Sequence, residues 1–300
     1  VSAIVVTYES AAVLAALLPV LAAAVDELVV VDNASTDGSA ARSRALVPGA
    51  VVVELAVNRG FAAGVNAGVA ASSGELLLLC NPDVELTADA VDALVAAAQR
   101  HPGDVVGPVV RFPDGRLQPS RNGRPTLRNL LGEQLLVPES TRPGTWPARL
   151  WPRWQSYARE VPGPILSGCS LLVPRSAFTT VGGFDEGYFL YWEEVDWQLR
   201  AAELGITSWL VPAAEVRHAR VGSGGAGEAA RAAVFHRSTR RFLRRWVPPA
   251  SRLAAVVLLG LGQLLRLLAW SLPPLRSAPP AADRRAQHRL ALRTLWTPAR

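Results

Sequence analysis

Lysine and methionine are both absent from this 300-residue chain, so all 31 basic residues are arginine. With its many alanines and prolines, the composition fits a GC-rich genome and carries no functional message. Two cysteines, Cys80 and Cys169, are too few for a disulfide framework, and both lie in apolar stretches that predict buried free thiols. No internal repeat is visible. No G-x-G-x-x-G run follows a strand, which excludes the dinucleotide fingerprint. The N-terminus runs directly into a strand with no basic leader or cleavage site, so the expected location of the body is cytoplasmic. The one long apolar run, Leu253 to Trp270, is 18 residues and contains Gln263 and Arg266. It is short and charged for a clean membrane span, and an interfacial helix fits it better.

Half of the residues are apolar, enough for a large core rather than a disordered chain. Their charge is divided unevenly. Residues 1–216 hold 15 arginines against 23 carboxylates, net −8, whereas residues 217–300 hold 16 against 2, net +14. A basic tail on an acidic body points to an anionic surface as partner.

Short apolar runs at 3–7, 28–31, 51–55, 76–80 and 105–110 read as strands, with helix patterns at 40–46, 61–72 and 87–100. Near-continuous apolar strands separated by helices predict a mostly parallel sheet covered on both faces. Ser10 is the expected cap of a first helix that Pro19 should kink or end. Residues 117–163 show no periodicity and read as a functional loop or insert. Ser167 to Val173 and Thr207 to Val211 are further strands, and Glu193 to Leu204 is a helix closed by Gly205. In the tail, Ala229 to Trp246 and Leu253 to Trp270 are the two helical segments.

Polar residues gather where these strands end. Asp32-Asn33 follows the second strand and turns through Ala34-Ser35-Thr36-Asp37-Gly38. Asn58-Arg59-Gly60-Phe61 precedes a helix with glycines at 60, 64 and 68; Arg59 could meet a phosphate, and the glycines could equally serve tight helix-to-sheet packing. Asn81-Pro82-Asp83 follows the buried strand Leu76–Cys80, where a carboxylate can hold a divalent cation against a diphosphate or cap the next helix. Glu193, Glu194 and Asp196 put three carboxylates in four residues. Partial burial would raise one toward a general base, although Asp196 and Arg200 are spaced to pair on the helix. His218 follows a strand that could end beside Asp83.

Together, Thr7-Tyr8, Asp32 to Gly38, Asn58 to Phe61 with Asn66, Asn81-Pro82-Asp83, Ser167-Gly168, Gly182 to Asp185, Glu193 to Asp196 and His218 resemble the inverting family-2 glycosyltransferases of GT-A fold over about residues 2–222. Gly107-Pro108, Asp114-Gly115, Ser170 to Val173 and Tyr191 to Glu194 resemble the rhamnosyltransferase subgroup, which includes enzymes that add L-rhamnose to a decaprenyl-diphosphate-linked N-acetylglucosamine. The resemblance implies a GT-A domain over 1–225, with a nucleotide-sugar half at 1–110 and an acceptor half at 111–225, followed by a basic helical tail at 226–300. It implies that Thr7, Tyr8, Asp32, Asn33, Arg59, Asn66 and Asn81 bind the nucleotide-sugar. Asp83 and His218 would hold Mg²⁺ or Mn²⁺, with Asn81 standing where the family has a first aspartate. Glu194, with Glu193 beside it, would be the base, and Trp192 and Asp196 would meet the acceptor. A lipid-linked or cell-envelope acceptor would place the protein at the inner face of the membrane, held by its tail.

The sugar that the resemblance best implies is L-rhamnose from dTDP-rhamnose, and four other readings compete. The first is a transferase of the same fold with another UDP- or GDP-sugar donor. A nucleotidyltransferase needs a glycine-rich, basic N-terminal loop, and Ser2 to Ser10 has neither glycine nor arginine. A nucleic-acid-binding module would use the tail but leaves the carboxylates unexplained, so no nucleic acid is expected. An inactive scaffold would fit the loss of an acid at Asn81.

Overall fold

In the computed structural model, residues 1–122, 125–126, 157–163, 165–219, 228–273 and 281–296 are described. The expected insert at 117–163 therefore lies mostly outside the described residues. The elements in chain order are β1 (Ser2–Thr7), α1 (Leu14–Ala24), β2 (Glu27–Asp32), α2 (Ser39–Leu46), β3 (Val51–Glu54), α3 (Phe61–Ala70), β4 (Leu76–Cys80), β5 (Val84–Glu85), α4 (Ala88–Arg100), β6 (Val105–Arg111), β7 (Leu117–Gln118), β8 (Arg121–Asn122), β9 (Val161–Gly163), β10 (Ile165–Leu166), β11 (Ser170–Pro174), α5 (Arg175–Val181), α6 (Glu193–Glu203), β12 (Ser208–His218), α7 (Glu228–Trp246), α8 (Pro249–Ala269) and α9 (Ala281–Trp296). They form two compact units. One lies within Val1–Arg124, Gln155–Glu186 and Glu193–Gly224; the other holds Gly187–Trp192 and the chain from Gly225 onward.

The first unit is built on a mixed sheet of order β3-β2-β1-β4-β11-β6-β12-β5, with β7 on β6 and β9 on β12. Strands β3, β2, β1 and β4 run parallel, as do β6 and β12, whereas β11 is antiparallel to both β4 and β6. Alternate side chains of the apolar strands feed two cores, one on each face. Val5, Val30, Leu78, Val106 and Leu172 pack with Leu14, Leu17, Leu18 and Leu94 from α1 and α4. Ile4, Val29, Leu79, Val105 and Leu171 pack with Val65 of α3, Phe178 of α5 and Trp197 of α6.

The sheet aligns the ends that matter. Thr7 is in register with Asp32, and Val5 with Cys80. Strand order reverses between β1 and β4, so a crevice opens past the carboxyl ends of these strands. Helix α3 seats its glycine face on the sheet, where a Cβ at Gly64 would come within 2.6 Å of Val6 Cγ1.

Three local expectations change. Helix α1 starts with Val13 as its cap rather than Ser10, whose Oγ bonds within its own turn to the Tyr8 amide and carbonyl. Pro19 sits inside α1 without ending it, because the helix is held by the burial of four leucines while Pro19 itself faces solvent. Strand β12 does not stop at Val211; a register shift between Val211 and Glu215 absorbs Pro212 and carries the strand on to His218.

The second unit is helical. Leu243 of α7, Ala255 and Leu259 of α8 and Leu295 of α9 form its core. Helix α9 was not legible in the sequence, because its apolar residues are spread among arginines.

Candidate active site

The end of β4 and the end of β12 meet. Strand β5 pairs antiparallel with β12, setting His218 opposite Val84, and the Ala219 amide donates to the Asp83 carbonyl at 3.1 Å. Asp83 Oδ1 then lies 3.3 Å from His218 Nε2, and both side chains are nearly buried. Asn81 Nδ2 is 3.5 Å from the same ring nitrogen. Thr87, not Asp83, caps α4, accepting a bond from the Ala90 amide at 3.2 Å. Asp83 is thus not needed as a cap. One carboxylate, one imidazole and one amide make a donor set suited to a divalent cation that completes its shell with diphosphate oxygens and water. Among the described residues there is no group of three or more His, Cys, Asp and Glu that could hold a metal without such help.

The acidic pair reaches the same crevice through the Ser167–Ser170 segment. The Asn81 amide donates to the Cys169 carbonyl at 2.9 Å. The neighbouring Gly168 amide donates to the Glu194 carboxylate. A Cβ on Gly168 would sit 2.7 Å from Glu194 Cγ, so the glutamate lies directly on bare backbone. Glu194 is half-buried, whereas Glu193 is 4% exposed. One oxygen of each, Oε2, is buried with no hydrogen-bond partner among the described residues. Burial pushes Glu194 above the ordinary glutamate value of 4.5. It pushes Glu193 well above that value, with the charge of Glu194 adding to the effect. A half-buried carboxylate with a raised proton affinity and a free oxygen is suited to accept a proton from a bound hydroxyl.

The nucleotide-side residues are wired to one another. Thr7 Oγ1 donates to Asp32 Oδ1 at 3.0 Å, and the Ser35 amide donates to Asp32 Oδ2 at 3.0 Å. Asn33 Nδ2 donates to the Gly60 carbonyl at 2.8 Å, and the Arg59 amide donates to Asn33 Oδ1 at 2.9 Å. Thr7 and Asn33 are buried and spent on these bonds. Through these bonds they order Asp32 and the Asn58–Gly60 loop. Tyr8 is half-buried at the end of β1.

Four residues expected to meet ligands have partners within the protein. Arg59 is exposed and pairs with Glu186 at 2.6 Å. Asn66 holds the Gly183–Phe184 turn, accepting from the Phe184 amide and donating to the Phe184 carbonyl. Asp196 is fully buried and paired with Arg200 at 2.9 Å, so it cannot touch an acceptor. Trp192 donates its indole N–H to Thr239 Oγ1 at 2.9 Å and stacks on Phe242, which anchors it to α7. Tyr191 and Trp192 both hold left-handed backbone, φ 71° and 76°, a strained state for bulky residues, immediately before Glu193.

Two residues at the site were missed as actors. Gln118 lies 3.1 Å from His218 Nδ1, and Gly168 cradles Glu194. Gln118 sits in the unpatterned segment and gave no signal. Gly168 was visible only as part of a Ser-Gly pair.

The sequence profile of glycosyl transferase family 2 matches residues 2–180. An N-acetylglucosaminyl-diphospho-decaprenol L-rhamnosyltransferase of Mycobacterium tuberculosis is 36% identical over 229 residues, covering 71% of this chain and 72% of the relative. Protein y4gI of Sinorhizobium fredii, which has no assigned function, is 30% identical over 227 residues, 73% of this chain and 24% of that one. Among solved structures, GalNAc-T7 with UDP, GalNAc and Mn²⁺ superposes with a TM-score of 0.60 at 16% identity, covering 96% of this chain and 54% of that one. The mannosyltransferase PcManGT of Pyrobaculum calidifontis, in complex with GDP-Man and Mn²⁺, gives 0.58 at 19% identity, covering 98% and 86%. At such identities the two structures attest the fold alone.

Proposed function

Since this chain belongs to glycosyl transferase family 2 and is a glycosyltransferase of GT-A type, we propose that it moves L-rhamnose from dTDP-rhamnose, with inversion, onto a polyprenyl-diphosphate-linked N-acetylglucosamine. The observation that carries this reading is the convergence of three remote segments on one crevice. Asp83 meets His218 at 3.3 Å, and the Asn81–Cys169 bond links that pair to the Gly168 amide that holds Glu194.

The chemistry follows from the residues. Glu194 takes the proton of the acceptor hydroxyl, and the resulting oxygen attacks the anomeric carbon from the face opposite the nucleotide. The leaving group is a nucleoside diphosphate, which departs as an anion and needs no acid. Asp83 and His218, with Asn81 beside them, would hold a divalent cation, which would supply neutralising charge to that diphosphate. The imidazole favours Mn²⁺ over Mg²⁺, which takes oxygen donors. The donor set is poor in carboxylates, so nucleotide diphosphate oxygens would be needed to complete the cation's shell. A hydrolase would need two carboxyls facing each other across a bond; Glu193 and Glu194 are instead sequence neighbours.

The lipid-linked acceptor gives the C-terminal unit a purpose. The outward face of α8 carries Leu253, Leu261, Leu264, Leu265 and Leu268, all exposed, while Arg252 bonds the Arg244 and Val247 carbonyls at the end of α7 and Arg266 bonds the Gly262 carbonyl of its own helix. An apolar outward stripe in a region of net charge +14 suits the headgroup boundary of an anionic membrane at its inner face.

The test is direct. Purified protein is incubated with dTDP-rhamnose, or with UDP- and GDP-sugars, and a polyprenyl-diphosphate-N-acetylglucosamine acceptor. Rhamnosyl transfer with inverted configuration is expected from the dTDP donor. Transfer only from another donor would replace the sugar assignment, and release of free sugar alone would end the transferase assignment.

A further inference from the structure

We propose that Gln118 decides which ring nitrogen of His218 carries the proton, and thereby positions the imidazole as a cation ligand. The inference rests on the reading of Asp83 and His218 as a cation site.

Strand β7 places Gln118 opposite Val110 of β6, and its side chain is buried. Its amide Nε2 lies 3.1 Å from His218 Nδ1. Its other polar atom, Oε1, is buried with no hydrogen-bond partner among the described residues. On the far side of the ring, Nε2 faces Asp83 Oδ1 at 3.3 Å. Asn81 Nδ2 stands 3.5 Å from the same nitrogen, so the imidazole is held between the Gln118 amide at Nδ1 and the nearer Asp83 carboxylate, with the Asn81 amide beside it, at Nε2.

A neutral imidazole has one N–H and one lone pair. With the Gln118 N–H aimed at Nδ1, the lone pair is on Nδ1. The proton is then on Nε2, where Asp83 accepts it. This arrangement satisfies the ring when no cation is bound. Coordination through Nε2 needs the opposite tautomer, with the lone pair on Nε2 and the proton on Nδ1. The group facing Nδ1 must then accept instead of donate. A half-turn of the Gln118 amide about its terminal torsion exchanges nitrogen for oxygen at that position. Oε1, which lacks a partner, gains one. One proton leaves Nε2 and one arrives on Nδ1, so the ring stays neutral and no net proton is released. A primary amide is the side chain that serves both arrangements without adding charge. A carboxylate only accepts, and an alkyl group does neither.

The experiment measures Mn²⁺ affinity in the presence of dTDP, read from the electron paramagnetic resonance signal of free Mn²⁺. Gln118→Leu removes the acceptor and is expected to bind Mn²⁺ about 10- to 100-fold more weakly, the usual effect of losing a partner behind a metal-bound histidine. Gln118→Glu keeps an acceptor for Nδ1–H and is expected to stay close to wild type. The affinity of both variants for dTDP without metal should not change. In wild type, ¹⁵N spectra of His218 should show the proton on Nε2 before and on Nδ1 after addition of dTDP and Zn²⁺, a diamagnetic ion that accepts imidazole. Equal Mn²⁺ affinity in Gln118→Leu and wild type, or a tautomer that does not change, would overturn the role of Gln118 alone. Failure of wild type to bind Mn²⁺ with dTDP would remove the cation site itself, and the inference with it.

Discussion

Glu194 meets two demands that pull against each other. It must be desolvated enough to gain proton affinity over an ordinary glutamate, yet open enough to reach a hydroxyl. Its half-buried position, with burial outweighing the backbone amides of Gly168, Glu194 and Val195 that bond it, sets the balance between the two. Glu194→Gln should lower turnover by about 10²- to 10⁴-fold, the range for loss of a general base, while equilibrium binding of the nucleotide-sugar is preserved; a variant with normal turnover would move the base elsewhere. Because burial raises this carboxyl above 4.5, the acid limb of the rate profile should lie above that pH, with activity rising as the base ionises. Gly168→Ala has no forbidden φ to overcome, so its effect is the contact of the new methyl with Glu194. It should reduce kcat by at least about tenfold with donor KM unchanged, since misplacing a reacting group costs orientation. Glu193 tests the same burial through stability. A carboxyl with a raised value in the folded state holds its proton more tightly there than in the unfolded chain. Stability is therefore lost as pH rises from below 4.5 through the raised value. Glu193→Gln should melt higher than wild type at neutral pH, and the gap should close in acid; a gap independent of pH would show that burial of this carboxyl is not what costs stability. The residues legible beforehand were those whose type is rare in its setting, a carboxylate after an apolar strand or a glutamate pair beside aromatics. Gln118 and Gly168 are ordinary residues, and only their neighbours give them a role.

At the scale of elements, close packing of α3 on the sheet is what brings Gly60 to Asn33 and Asn66 to the Gly183–Phe184 turn. The glycines at 64 and 68 were open to two readings, ligand approach or packing. Their missing Cβ atoms are filled by Val6, and by Ile4 and Val31. Gly68→Ala should therefore cost on the order of 1–3 kcal/mol through overpacking, seen as a lower Tm; an unchanged Tm would mean that α3 can shift freely. Strands β1, β2, β3, β4 and β6 were readable because an apolar run of four to seven residues between helices has few alternatives. The two-residue strands β5 and β7 were not, for they exist only by pairing with β12 and β6. Those two short pairings put Asp83 and Gln118 on either side of His218.

At the scale of the whole molecule, charge is sorted along the chain, with a carboxylate-rich first unit and an arginine-rich C-terminal region. Replacing Leu264 and Leu268, both exposed on α8, with serine leaves the helical core untouched and should abolish flotation with anionic vesicles. Flotation that persists in the double variant would show that arginines alone hold the protein, or that another surface does. Several properties were already present in the linear order of residues: the alternation of strands and helices, the family, the acidic pair and the sign of each region's charge. Each depends on local periodicity or on a short motif, which survives without knowledge of neighbours in space. The partnerships were decided only by folding. Trp192 became an anchor on α7, Arg59 the partner of Glu186, and Gln118 the companion of His218. Such roles depend on which strands pair and in what register, and a pairing across about a hundred residues leaves no mark on either segment alone.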